Sequence, residues 1–254
     1  MRSMDANNEA IRDELIALSH WLGEPARDLA IIGEGNTSAR LPDGTFWIKA
    51  SGANLGSLTP AQVVQVRRDT IVNALTNNPD DAQVKQALMD ARVQADAPRP
   101  SIETFFHGLM YALTDCNFIG HTHPVTINSV LCSQRAEDIT RHIMPDVIIV
   151  CGLHGVFVPY IDVGATLANE MGERVRDFIR RHDTMPKVIY LQNHGFIALG
   201  QTAKEVQNIT AMAVKNARVL AATYALGGPV YLDEFTLNRI HTRPDEDVRR
   251  QQFR

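Results

Sequence analysis

Cysteine is scarce in this chain of 254 residues: Cys116, Cys132 and Cys151 stand 16 and 19 residues apart, with no C-x-x-C pair. An odd, widely spaced set argues against a disulfide framework and favours a reducing, cytoplasmic setting. No apolar run approaches the roughly 18 residues that a bilayer span needs. The longest, around Val147 to Val150, is strand-sized. The first residues, MRSMDANNEAIRDEL, lack the apolar segment of a signal peptide. Positive charge is not in excess either: 25 Lys and Arg stand against 29 Asp and Glu, giving a net charge of -4 and a pI of about 6.1. That balance points away from nucleic acid and from membrane surfaces, while leaving room for a local basic pocket. Internal repeats and low-complexity segments are absent as well.

What is present is ordinary globular composition, 44% hydrophobic and 21% charged. Ile11, Leu15, Leu18 and Leu22 recur at helical spacing and predict an opening amphipathic helix. Asp43-Gly44 between SARL and TFWIKA reads as a hairpin turn. GEGNTS (33–38) and SGANLGSLTP (51–60) are polar loops by composition. The stretch from Asn73 to Arg99 reads as an excursion, helical over about Asp81 to Ala91. Ser101 is positioned to cap a helix running to about Leu113, with Glu103 in its first turn. Strands are expected at Asn117–His123, Val147–Cys151, Val156–Tyr160, Val188–Gln192 and Phe196–Leu199. Long helices are expected at Ala165–Arg181 and Ala203–Ala225, the latter stopped by Gly227-Gly228. A charged, partly helical tail follows from about 229. The pattern predicts one α/β domain with a mixed, mostly antiparallel sheet.

The chemistry concentrates in Gly120-His121-Thr122-His123-Pro124. On a strand, residues i and i+2 share a face, so His121 and His123 present two imidazoles to one side. Such a pair suits zinc or a similar divalent ion, although H-x-H alone also fits a surface pair. His194, just past the strand Val188–Gln192, offers a third ligand and leaves coordination positions open, as a catalytic metal requires. Glu103 by itself could simply complement a helix dipole. GEGNTS with Asn36, and Ser51-Gly52 with Lys49 upstream, could cradle an anion through backbone N–H groups, or could be ordinary turns. GEGNTS lacks the third glycine and the following helix of a dinucleotide fingerprint. His107, one turn beyond Glu103, reads as packing or as support for the site. His154 has a weak claim, and His20, His142, His182 and His241 read as surface or loop. Trp47 reads as a strand core residue.

In order, GEGNTSAR, WIKASG followed by LTP, RPSIETFFHGLMYAL, GHTHP and LQNHGFIALG resemble the class II aldolase/adducin family over roughly Ile11 to Leu226. That family includes fuculose-phosphate and rhamnulose-phosphate aldolases and ribulose-phosphate 4-epimerase. The resemblance implies a three-layer α/β/α sandwich around a central mixed sheet. It also implies Zn2+, or another divalent ion such as Mn2+, on His121, His123 and His194. Glu103 falls on the acid/base position and could also bind the metal; epimerases tend to carry Asp there. Phosphate contacts fall on Asn36, Ser51, Gly52 and Ser101, with Lys49 adjacent. A homotetramer acting on a sugar phosphate is implied too. Three features depart from the pattern: Ile102 replaces a second small hydroxyl residue, the stretch from Asn73 to Arg99 is longer than in compact fuculose-type members and more like the rhamnulose-aldolase domain of longer relatives, and the proton-donor tyrosine has no clear match, Tyr231 and Tyr111 being weak candidates.

The resemblance implies retro-aldol cleavage of a phosphorylated ketose to dihydroxyacetone phosphate and an aldehyde, through a metal-stabilised enediolate, with Glu103 moving the proton. Rival readings are a decarboxylase of a keto or hydroxy-aromatic acid, a 4-epimerase and, outside enzymes, an adducin-like interaction protein.

Overall fold

The computed structural model describes residues 2–77 and 79–253. Helix α1 (Arg2–Leu22) leads into strands β1 (Asn36–Arg40), β2 (Thr45–Lys49) and β3 (Val63–Arg67). Helices α2 (Arg68–Ala74), α3 (Asp81–Asp90) and α4 (Thr104–Leu113) follow, then β4 (Phe118–Thr122), α5 (Val125–Leu131) and α6 (Pro145–Cys151). The chain continues through β5 (Val156–Val158), α7 (Ala165–His182), β6 (Val188–Leu191), β7 (Gly195–Gly200) and α8 (Ala203–Tyr224), and closes on α9 (Glu234–Thr242) and α10 (Pro244–Gln252). The seven strands form one sheet in the order β3-β2-β1-β4-β7-β6-β5. Every neighbouring pair is antiparallel except β5 with β6. Parallel strands need a crossover, which α7 supplies.

The strand period of two sorts the side chains into two cores. Ile48, Ile119, Ile189 and Ile197 join one cluster with Phe105, Leu109 and Met171 of α4 and α7. Ala39, Tyr190, Phe196 and Ala198 join the other with Leu18, Val130 and Ile209 of α1, α5 and α8. The expected three-layer α/β/α arrangement with a mixed, mostly antiparallel sheet is therefore what forms. Each fully buried aliphatic side chain contributes about 1.5–3 kcal/mol to holding the layers together.

Three local expectations change. Val147–Cys151 is not a strand but most of helix α6, started by Pro145 at its first turn. The run VIIVC is apolar all round because it is buried on two sides: Val147 and Val150 meet the α8 core, while Ile148 and Ile149 meet Ile240. A run buried on all sides has no periodicity to distinguish helix from strand. VVQVR, which carried no strand expectation, forms β3. The stretch 73–99 is tied to that strand: Arg67 N–H donates to Ala91 O at 2.7 Å, Val93 N–H to Gln65 O at 2.9 Å, and Val84 and Leu88 enter the core. No helix among the described residues is long and apolar enough to cross a membrane.

Candidate functional site

The alternation along β4 sets the site. Phe118 faces the α8 core, and a Cβ on Gly120 would meet Val206 and Leu22 there. Ile119 faces the opposite core, and His121, two residues on, is buried on that same side, edge-on to Phe106 of α4 at 5.5 Å between ring centroids. The strand ends at Thr122, and His123 is anchored by its N–H to Leu29 O at 2.8 Å. His194 lies in the turn between β6 and β7, which Asn193 enters in the left-handed region at φ 55°. Asn128 Nδ2 holds this turn by donating to His194 O at 3.0 Å.

Three imidazoles thus come from two non-adjacent segments. Their ligand nitrogens all lie within 4.8 Å of one another, with ring centroids 4.8–5.0 Å apart and planes steeply crossed. His121 Nδ1 is 3.1 Å from Phe196 O. A carbonyl only accepts, so Nδ1 donates this bond and Nε2 is the nitrogen turned towards the cluster. That nitrogen faces His123 Nε2 at 3.0 Å. Burial, then the neighbouring imidazoles His121 and His194, push the His123 pKa down to about 3. Three imidazoles with converging nitrogens fit a divalent ion of the zinc or manganese type.

Glu103 stands at the mouth of this cluster. Helix α4 begins at Thr104, one residue after Glu103, rather than near Ser101. Ser101 instead closes the turn ahead of it: its Oγ accepts from Glu103 N–H at 3.3 Å and its carbonyl from Thr104 N–H at 3.1 Å. The Glu103 carboxylate makes no cap hydrogen bond. Its Oε1 lies 3.3 Å from His121 Nε2 and 3.1 Å from His194 Nε2, and its Oε2 accepts from Asn36 Nδ2. Burial alone would raise this carboxyl, but His121 and His194 outweigh it and hold it well below the usual carboxylate range.

The residues singled out for an anion separate into two groups. Asn36 is buried, with its amide engaged by Glu103 and His107. Lys49 is also buried, its Nζ donating to Ala53 O at 2.7 Å and Gly33 O at 3.3 Å, so it ties the two polar loops together. Ser51, Gly52 and Ser101 lie further out. An isolated bridge between Ala50 and Pro100 aligns their segments, and Gly52 takes the left-handed φ of 77°. Arg99, which the sequence did not single out, donates to Ser51 Oγ at 3.0 Å. The only sequence signal was its place beside Pro100-Ser101.

Burial, opposed by Glu103, pulls the Lys49 pKa down to about 8. The unfolded chain therefore binds more protons than the folded one between about pH 8 and 10.5, and stability rises with pH across that window. Relative to a Lys49→Met variant, wild type is expected to gain about 2–4 kcal/mol over it. Urea unfolding of both proteins at pH 7.5 and 10 checks this; parallel curves would contradict it.

Other contributors were not legible as such. His107, read as packing or support, does both: it stacks on Phe106 at 4.5 Å and hydrogen-bonds Asn36 and Ser38. Glu34 Oε1 sits 3.8 Å from His123 Nδ1, behind the ligand nitrogen. A Cβ on Gly195 would come within 2.6 Å of Thr122 O and 2.7 Å of His123 Cδ2. Gly195→Ala must therefore push the His123 ring aside, and about a tenfold or greater loss of metal affinity is expected in a competitive chelator titration. Of the remaining histidines, His142 is buried rather than at the surface, bonded to Leu153 O, and His154 stacks on His182. Tyr111 is buried against Ser38, and Tyr231 lies under the Arg141 guanidinium.

Comparison with known proteins agrees with this picture. The model of the "Class II Aldolase and Adducin N-terminal domain" matches residues 13–221. Among curated proteins, the chain is 26% identical over 215 residues to the uncharacterized oxidoreductase YuxG of Bacillus subtilis, covering 81% of this chain but only 29% of that one. It is 26% identical over 201 residues to a methylthioribulose-1-phosphate dehydratase of Microcystis aeruginosa, covering 75% and 85% of the two chains. Among solved structures, the N-terminal class II aldolase domain of a conserved Thermoplasma acidophilum protein superposes with a TM-score of 0.65 at 26% identity, covering 82% of this chain and 92% of that one. By its family match, its three-layer fold and its three converging histidines, this chain belongs to the class II aldolase and adducin family.

Proposed function

We propose that this protein is a metal-dependent lyase acting on a phosphorylated ketose, and that retro-aldol cleavage is its reaction. The observation that carries the proposal is the carboxylate oxygen Glu103 Oε1, 3.1–3.3 Å from two imidazole nitrogens of the three-histidine cluster. His121, His123 and His194 would hold the ion. When bound, a divalent ion supplies Lewis acidity at a carbonyl, worth several kcal/mol of charge stabilisation.

The protein's own residues do the rest. With its carboxyl held ionised, Glu103 is a base at the site rather than an acid. Its Oε1 takes the proton of the hydroxyl on the carbon at the far end of the bond that breaks, the end away from the ketone. That oxygen becomes the aldehyde carbonyl, and the electron pair of the broken bond stays with the ketose fragment. Returning the proton to the carbon next to the ketone, which kept that electron pair, closes the cycle with atoms balanced. Ser51, Gly52 and Ser101, with the Arg99 guanidinium beside them, support a phosphate at the outer end. Asn36 and Lys49 support the site from behind. Dihydroxyacetone phosphate and an aldehyde are the products.

A second reading is favoured by the dehydratase relatives: the same base could instead serve loss of water next to the carbonyl. Incubating the zinc- or manganese-loaded protein with a panel of ketose 1-phosphates tests both. Triose phosphate plus aldehyde supports cleavage. A dehydrated product with every carbon retained supports the dehydratase. Carbon dioxide from keto acids would move the reading to a decarboxylase. No turnover of any panel member by the metal-loaded protein would overturn the enzyme reading in favour of an interaction protein.

A further inference from the structure

Behind Glu103 runs a line of buried polar groups that the proposed reaction does not itself use. Tyr111 Oη lies 2.7 Å from Ser38 Oγ, which lies 2.6 Å from His107 Nδ1; His107 Nε2 meets Asn36 Oδ1, and Asn36 Nδ2 meets Glu103 Oε2. Ser38 and His107 are wholly buried, and Asn36 and Tyr111 nearly so.

The direction of every hydrogen bond follows from its end. A carboxylate only accepts, so Asn36 must turn its NH2 to Glu103 and its carbonyl to His107. That carbonyl also only accepts, so His107 must carry its proton on Nε2. Burial keeps the ring uncharged, lowering its pKa to about 3, which leaves Nδ1 bare to accept from Ser38. The Ser38 hydroxyl proton is then committed to His107, and Tyr111 Oη, 2.7 Å from Ser38 Oγ against 3.5 Å from Asn117 O, turns its proton to the nearer Ser38. All donors point the same way, and the line terminates on the negative charge.

We infer that Ser38, His107 and Asn36 form a one-way hydrogen-bond line that pins Glu103 Oε2 and leaves Oε1 as the only working oxygen, His107 being a positioning residue. This rests on the reading of Glu103 as the proton-moving group. The two oxygens of a carboxylate are equivalent in water. Here one is occupied by an amide whose orientation a histidine tautomer enforces, and the other faces the three-histidine cluster. Ring rotation or the opposite tautomer would place a lone pair against Asn36 Oδ1, which the buried site cannot relieve with water.

The test is a long-range proton–nitrogen NMR correlation on histidine-labelled protein, metal-free and zinc-loaded. The His107 signals are assigned by their absence in His107→Gln or, should that variant not fold, by the ring's contact with Phe106. The expected result is a neutral His107 protonated on Nε2 in both forms. Asn36→Ala removes the carbonyl that selects this tautomer and leaves Ser38, whose hydroxyl serves either one. It is expected to mix the tautomers and to lower kcat about tenfold or more while KM stays within about twofold. A wild-type His107 protonated on Nδ1 overturns the inference, whatever the turnover. So does an Asn36→Ala protein with unchanged tautomer and unchanged kcat. Failure of the lyase reading looks different: no turnover in wild type, with the His107 tautomer still as assigned.

Discussion

Glu103→Gln is expected to keep its metal and lose about 10²–10⁴-fold in turnover. The size follows from what the substitution removes. Gln has the same shape, and its carbonyl can still accept from Asn36 Nδ2. The position facing His121 and His194 then holds an amide NH2 in place of an oxygen lone pair. An amide cannot take a proton from a substrate hydroxyl at neutral pH, so the base is gone while the pocket stays. The three imidazoles are untouched, and elemental analysis should still find about one ion per chain. Turnover in this variant close to wild type would remove Glu103 from the mechanism. Loss of metal together with turnover would instead make Glu103 a principal ligand.

His123→Ala is expected to empty the site and abolish turnover. His123 contributes one of three nitrogens that lie within 4.8 Å of one another, and its removal leaves two imidazoles and one carboxylate. Ligand number governs both affinity and geometry, so retention through dialysis should fall from about one ion per chain to near none. A second readout separates loss of ion from loss of fold. Metal binding stabilises the folded state by mass action, so saturating zinc should raise the melting temperature of wild type and leave that of His123→Ala unmoved. His123 is partly exposed and outside the strand, so the metal-free variant should melt close to metal-free wild type. A variant that kept its ion and its zinc-dependent shift would remove His123 from the ligand set.

Neither experiment depends on knowing the substrate's identity in advance for its metal arm. The turnover arm does, and the ketose 1-phosphate panel supplies it.

Much of this site could be read from the one-dimensional chain, because its signals are local. The strand period puts His121 on the side of the site, and although β4 ends at Thr122, His123 stays on that side, held by its N–H to Leu29 O. The order of the polar loops, the RPSIE segment and the NHG turn carried the family and, through it, the fold. VIIVC reads as a strand but forms α6, which is apolar on every side because α8 and α9 cover both of its faces. The boundary of α4 shifted because Ser101 satisfies the turn ahead of the helix, which frees Glu103 to point away from it.

The chain by itself determined which residue types were available for the chemistry and paired His121 with His123, with His194 as a third candidate; Glu103 joined them only through the family resemblance. Only tertiary structure decided what each polar group is free to do. Asn36 and Lys49 look like ligands for an anion in a loop-rich sequence. Once β1 lies against β4 and the two loops close over Lys49, both are buried and bonded within the fold, Asn36 to Glu103 and His107, and Lys49 to Gly33 and Ala53. Arg99 and Ser51 meet across 48 positions, and Ser38 meets His107 across 69. Spacing of that length carries no geometric information until the sheet has formed, because hydrogen bonds are directional and short, and burial decides which partner a polar group must take.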